Sequence, residues 1–136
     1  MAFTPASRDW SNIKLPTKLN TTYTKGMFVY HDGTDLVPAT TTTQSNVVGI
    51  LAESKASAAN TNKIAVIVPN SPNAKFFADG GSGTLTAAQE GALFDFASGG
   101  LTIDQAASTY DTVQLVKYIS ATKGVFKLNY TLGIEN

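Results

Sequence analysis

Few residues in this chain could do chemistry, and their spacing decides what each is worth. His31 is the single imidazole and stands beside Asp32, an arrangement that would suit a general base. Its setting is a turn: Asp32-Gly33 separates two short apolar runs, and a lone histidine there reads as a solvated turn residue. With no cysteine and no second histidine, a zinc site would have to be completed by carboxylates alone. Asp32-Gly33-Thr34-Asp35 offers oxygen ligands to a hard cation but has none of the spacing of an EF-hand loop, and turn chemistry accounts for it. Further along the chain, Asp79, Asp95, Asp104 and Asp111 fall singly.

Gly80-Gly81-Ser82-Gly83 invites comparison with phosphate loops and nucleophile elbows. It lacks the Lys-Ser/Thr that follows a Walker loop and the Gly-x-Ser-x-Gly spacing that strains a serine onto a turn. The segment reads as a flexible linker between two halves. Asn20-Thr21-Thr22 and Asn129-Tyr130-Thr131 match the glycosylation acceptor pattern by chance, because no secretory signal accompanies them. No cofactor is expected.

Composition narrows the function classes further. The 136 residues fit one domain with a core of its own. Only 15% are charged, against about 25% in an average soluble domain, and ten basic residues balance ten acidic ones. Nucleic acid and anionic membranes both call for a basic field that this chain lacks. A chain without net charge also lacks the repulsion that keeps copies apart, so association is the expected state. No apolar run approaches the ~20 residues that cross a bilayer. The protein therefore reads as one made and kept soluble inside a cell until assembled.

The elements that position these residues are mostly strands. Residues 1–22 carry Pro5, Pro16 and the isolated aromatics Phe3 and Trp10 with no sustained period, which reads as an extended arm. The arm either packs back on its own domain or offers Phe3, Arg8, Trp10, Ile13 and Leu15 as contacts to a neighbour. Residues 23–136 form a single β-rich domain. Met27 to Tyr30 and Leu36-Val37 make a hairpin, with Pro38 ending the second strand or setting it at an edge. Val47 to Ala52 is a strand in which Gly49 marks a bulge or a close backbone approach. Ile64 to Val68 is a third strand, and Phe76-Phe77 begins another. Thr86-Ala87-Ala88-Gln89 matches a capping box, and Gly91 limits the helix to about one turn. Leu93 to Phe96 and Leu101 to Ile103 read as a hairpin around Ser98-Gly99-Gly100. Asp104 to Asp111 is loop or a second helical turn. Val113 to Ile119 and Val125 to Tyr130 are joined by a turn at Lys123-Gly124, and Phe126, Leu128 and Tyr130 share one face against Lys127 and Asn129. The expected fold is mainly β, a small barrel or sandwich with one or two short helical turns and an extended N-terminal arm.

The order of these features resembles the small head decoration, or cement, proteins of tailed bacteriophages. Lys25-Gly26-Met27-Phe28-Val29-Tyr30 with Asp32-Gly33, then Leu36-Val37-Pro38-Ala39-Thr40, then Val48-Gly49-Ile50-Leu51-Ala52 follow the first half of such proteins. Leu85 to Leu93, Val113 to Ile119 and Gly124-Val125-Phe126 are similar to the second half. The resemblance implies a β-tulip-like domain and homotrimers at local threefold positions on the outside of an icosahedral shell. It further implies the major capsid protein as partner, no enzymatic activity and no catalytic residues. A receptor- or carbohydrate-binding domain of a viral fibre, or another virion subunit, is the alternative. Fibre sites cluster exposed aromatics, whereas Tyr23, Tyr30, Tyr110, Tyr118 and Tyr130 fall in different elements.

Overall fold

The computed structural model describes residues 3–40, 47–56, 62–71, 73–82, 84–97, 99–105, 108 and 110–129. The domain is mainly β, and its single helical piece among these residues is a 3₁₀ turn at Ala87–Gln89. There the expected capping box of Thr86 and Gln89 is present, the Thr86 amide donating to Gln89 Oε1 at 2.9 Å. The loops over residues 41–46 and 57–61, Tyr130, and part of the candidate turn between Asp104 and Asp111 lie outside the described residues.

Two sheets divide the chain. The first takes β2 (Trp10–Pro16), β3 (Phe28–His31), β4 (Leu36–Pro38), β5 (Val47–Leu51) and β6 (Lys63–Pro69) in the order β2-β6-β5-β3-β4, with every neighbouring pair antiparallel. The second takes β1 (Thr4–Pro5), β7 (Lys75–Ser82), β8 (Leu93–Phe96), β9 (Ile103–Asp104), β10 (Val113–Ser120) and β11 (Lys123–Leu128) in the order β1-β7-β11-β10-β8-β9. This sheet curls until β9 pairs in parallel with the end of β7, Gly80 opposite Ile103 and Ser82 opposite Asp104. Gly80 to Ser82 is therefore strand rather than a flexible linker. Its glycines sit at the register shift where β7 changes from antiparallel to parallel company.

An aromatic cluster fills the space between the sheets. Phe28 of β3 lies 4.8 Å from both Phe3 and Phe76 and 4.9 Å from Phe96, ring centre to ring centre, and Phe76 stacks on Phe126 at 6.2 Å. The contacts of Phe28 with Phe3 and Phe76 are edge-to-face, the geometry that opposes the positive rim of one ring to the negative face of another. Alternation along β11 delivers its share: Gly124, Phe126 and Leu128 point inward. The opposite face of the first sheet carries a smaller core of Tyr23, Met27, Val29, Leu36, Leu51, Ile64 and Val66.

Two glycines prove to be packing positions. A Cβ on Gly49 would overlap the Ile67 carbonyl of β6, and β5 is bulged beside it, since Val29 and Tyr30 of β3 face Gly49 and Val47 and leave Val48 as the extra residue. This is the close approach expected from the sequence. Gly124 is not the turn residue the sequence pointed to. The turn is Ala121-Thr122, between the paired Ser120 and Lys123, and a Cβ at Gly124 would stand 2.7 Å from Leu115 Cδ1.

Asp95 is buried on β8, and its Oδ1 accepts from the Tyr110 amide at 2.7 Å and the Asp111 amide at 2.8 Å. It thereby orders the approach to β10. Gly49→Ala should lower unfolding stability by about 2–3 kcal/mol, because the overlapping atom is backbone and the paired strands β5 and β6 must part to make room. Urea titrations of both proteins measure the difference, and an unchanged midpoint would contradict the close approach.

Candidate interaction surface

β2 is an edge strand, and its pairing fixes which backbone groups face outward. It runs antiparallel to β6 over its full length, from Trp10 opposite Pro69 to Pro16 opposite Lys63. Just beyond its ends, the Asn70 amide donates to the Asp9 carbonyl and the Thr17 amide to the Asn62 carbonyl. Alternation in an antiparallel ladder then gives Ser11, Ile13 and Leu15 the bonds to β6. Trp10, Asn12, Lys14 and Pro16 turn their backbone groups to the open side. Both prolines of this pair of strands conform, since Pro16 and Pro69 sit where no ladder donor is required.

The five residues singled out as contacts separate into two groups. Phe3 is 2% exposed and sits inside the aromatic cluster, so it serves its own core and is withdrawn from the set of outward contacts. Its amide donates to the Gly26 carbonyl at 2.8 Å, and the adjoining β1 pairs with Phe76 and Phe77. Trp10 is half-buried; its ring meets Phe76 edge-on and its Nε1 donates to the Lys75 carbonyl at 3.0 Å. Leu15 packs on the second core. Arg8 and Ile13 remain outward, Ile13 with 40% of its surface exposed. Of the two alternatives for residues 1–22, these contacts correspond to packing back on the domain.

The other edge of the same sheet is handled differently. β4 is three residues long, ends in Pro38, and has its Leu36 carbonyl bonded by the Tyr23 hydroxyl at 2.6 Å. That hydroxyl also accepts from the Lys18 amide at 2.9 Å. Tyr23, 1% exposed, thus lies across the β4 edge and ties the chain leaving β2 to it. Burial raises its pKa most, and the negative charge of Asp35 raises it further against the opposing Lys18 amide.

His31 and Asp32 build the β3–β4 turn. His31 Nδ1 accepts from the Gly33 amide at 3.2 Å, and Asp32 Oδ1 accepts from the amides of Asp35 at 2.7 Å and Thr34 at 2.9 Å. Those two bonds to the carboxylate, Asp35's first, hold the Asp32 pKa below its usual value. A depression of about 170 Å³ beside the turn is lined by Leu15, Pro16, Thr17, His31, Thr34, Asp35 and Leu36. Among the described residues no three His, Asp or Glu side chains come together as metal ligands. A more apolar cleft of about 420 Å³ opens between Phe3, Thr4 and Pro5 on one side and Ile50, Leu51, Ala52 and Ile67 on the other.

Leu19 and Ile119 are the other large apolar side chains left exposed, at 51% and 45%. Sequence reading missed both, as well as the strand character of β2; a hydrophobic residue in a turn or at the solvent face of a strand carries no distinguishing local pattern. No family model matches this chain, and no curated protein matches it.

Tyr23→Phe should cost about 1–3 kcal/mol at pH 7, since the buried Leu36 carbonyl loses its donor. Because the folded-state pKa lies above the unfolded one, Tyr23's contribution is complete below the unfolded value of about 10 and is lost as pH rises through the folded value. The stability gap between wild type and Tyr23→Phe should therefore narrow in denaturant titrations carried from pH 7 to above about pH 10. A gap that stays constant or widens would contradict the assignment.

Proposed function

We propose that this protein decorates the outside of a viral icosahedral shell, binding the major capsid protein as a homotrimer at local threefold positions and holding neighbouring shell subunits together. The observation that carries the reading is the run of features from Lys25 to Ala52, which resembles the first half of phage head decoration proteins. The compact β domain, free of cysteine and built around packed rings, is consistent with it. A trimer spanning a seam between shell subunits adds interface free energy that must be lost before the subunits separate. One standard contact buries ~1,600 Å². Three tied together gain avidity beyond any single contact.

The contact surface is a rigid edge rather than a free arm. Arg8, Ile13 and the exposed Leu19 are presented by a segment whose Phe3, Trp10 and Leu15 are committed to the domain. Removing residues 2–18 would extract Phe3 from the aromatic cluster and strip β6 of its partner strand. That deletion should abolish the cooperative melting transition in circular dichroism, since the loss of a buried Phe alone costs about 3–5 kcal/mol.

The proposal is tested with the folded protein. Wild type should co-sediment with expanded heads assembled from the major capsid protein, with cryo-electron microscopy density at local threefold positions. Arg8→Glu with Leu19→Ser should melt within a few degrees of wild type and bind at least ~10-fold more weakly, the effect of about 1.4 kcal/mol of lost contact. Heads that remain bare at saturating protein would overturn the reading.

A further inference from the structure

From the open edge of β2 we infer an interaction surface for a second copy of this chain, the two β2 strands pairing antiparallel about a twofold axis through Ile13. Three observations lead to it. The first concerns how edges are closed elsewhere. β9 meets β7 in the curled sheet, β1 covers the remainder of β7, the β10 edge beyond β8 is bonded at Leu115 by Gly91 and Ala92 and at the Tyr118 amide by Glu90, and Tyr23 with Pro38 blunts β4. Among the described strands, β2 alone presents a long edge to solvent: residues 11 to 14 are all exposed, and it carries no bulge. Unpaired strand edges of this length are templates for another strand.

The second is the order of side chains and donors. With Ile13 facing the second copy's Ile13, Asn12 stands opposite the other Lys14 and exchanges both backbone bonds with it, and the same holds in reverse. Trp10 donates to the other Pro16 carbonyl, so the missing proline amide falls at the rim. The register brings the exposed Ile13 side chains together at a close, non-hydrogen-bonded position and keeps Lys14 from facing its own copy. Centring the axis on Lys14 instead would oppose the two ammonium groups.

The third is charge. The chain has no net charge to hold copies apart. Locally, Arg8 and Lys18 flank the strand and approach their opposite numbers at the rim. Pairing should therefore tighten with salt as these like charges are screened. On a shell, this twofold contact would join neighbouring trimers, but it does not depend on the capsid reading.

The test uses the full chain. Asn12→Pro removes an outward donor while leaving the bonds to β6, since Pro16 already occupies the equivalent kind of position. Analytical ultracentrifugation from about 5 to about 500 µM covers the affinities of a contact smaller than ~1,200 Å². Wild type should reach twice the mass of Asn12→Pro, with its association constant rising at least ~3-fold between low and high salt. Amide hydrogen exchange should show Asn12 and Lys14 becoming protected as wild-type concentration rises, while Ser11, Ile13 and Leu15 are protected throughout. Equal masses at every concentration, or doubling without protection at Asn12 and Lys14, would overturn the inference. Should Asn12→Pro fail to melt cooperatively, the exchange pattern of wild type decides alone. Protein that pairs in this way yet leaves heads bare would sink the capsid reading and leave the β2 contact standing.

Discussion

Everything in this domain hangs on the environment of Phe28. Its ring enters the aromatic cluster from the first sheet, meeting Phe3, Phe76 and Phe96, while its backbone amide donates to the Gly100 carbonyl at 2.7 Å and its carbonyl accepts from the Ala39 amide at 2.9 Å. One residue thus joins the first sheet to the β8–β9 hairpin of the curled one. A chain with few charges and no cysteine has little else with which to fix the two sheets. Ring packing of this kind gains about 1 kcal/mol per pair beyond simple burial and sets the sheets at one orientation.

With the sheets fixed, polar groups fall into place around them. Every buried side-chain nitrogen or oxygen among the described residues has a partner. The Ala121 carbonyl accepts from both the Leu85 amide and Gln105 Nε2, which closes the β10–β11 end of the sheet over the loop before the 3₁₀ turn. Asp95 does the same for the approach to β10. Edges are the exception to this economy of partners, and the contrast between a covered β4 and an uncovered β2 gives the surface its direction.

Much of this was legible in the sequence where one face of a strand is buried. The hairpin around Asp32-Gly33 and the run from Ile64 to Val68 follow from apolar spacing and turn residues, and Gly49 was marked by its place inside an apolar run. β2 escaped detection because only Trp10 and Leu15 are half-buried and they lie on opposite faces, which leaves no period of two. Gly80 to Ser82 escaped because its partner, β9, is parallel and remote, and a glycine pair carries no side-chain pattern. Gly124 was assigned to a turn for its neighbour Lys123, although the constraint on it comes from Leu115 across the hairpin. The contact residues were only partly legible: Arg8 and Ile13 are outward, but the burial of Phe3 depends on rings contributed by Phe28, Phe76 and Phe96, far along the chain.

Phe3 carries a consequence for the time course of folding. Its partners lie far along the sequence: β1 pairs with β7, and the cluster around Phe3 includes Phe126 by way of Phe76. Closing loops that long precedes any reward from the contacts they bring, which places such a topology among slow folders. Phe3 must wait for β7 and β8 before it finds its place, and until then the cluster lacks a ring. A chain in which β7 and β11 have not yet docked therefore leaves Phe3 and its partner rings in solvent, and is at its most adhesive in that state.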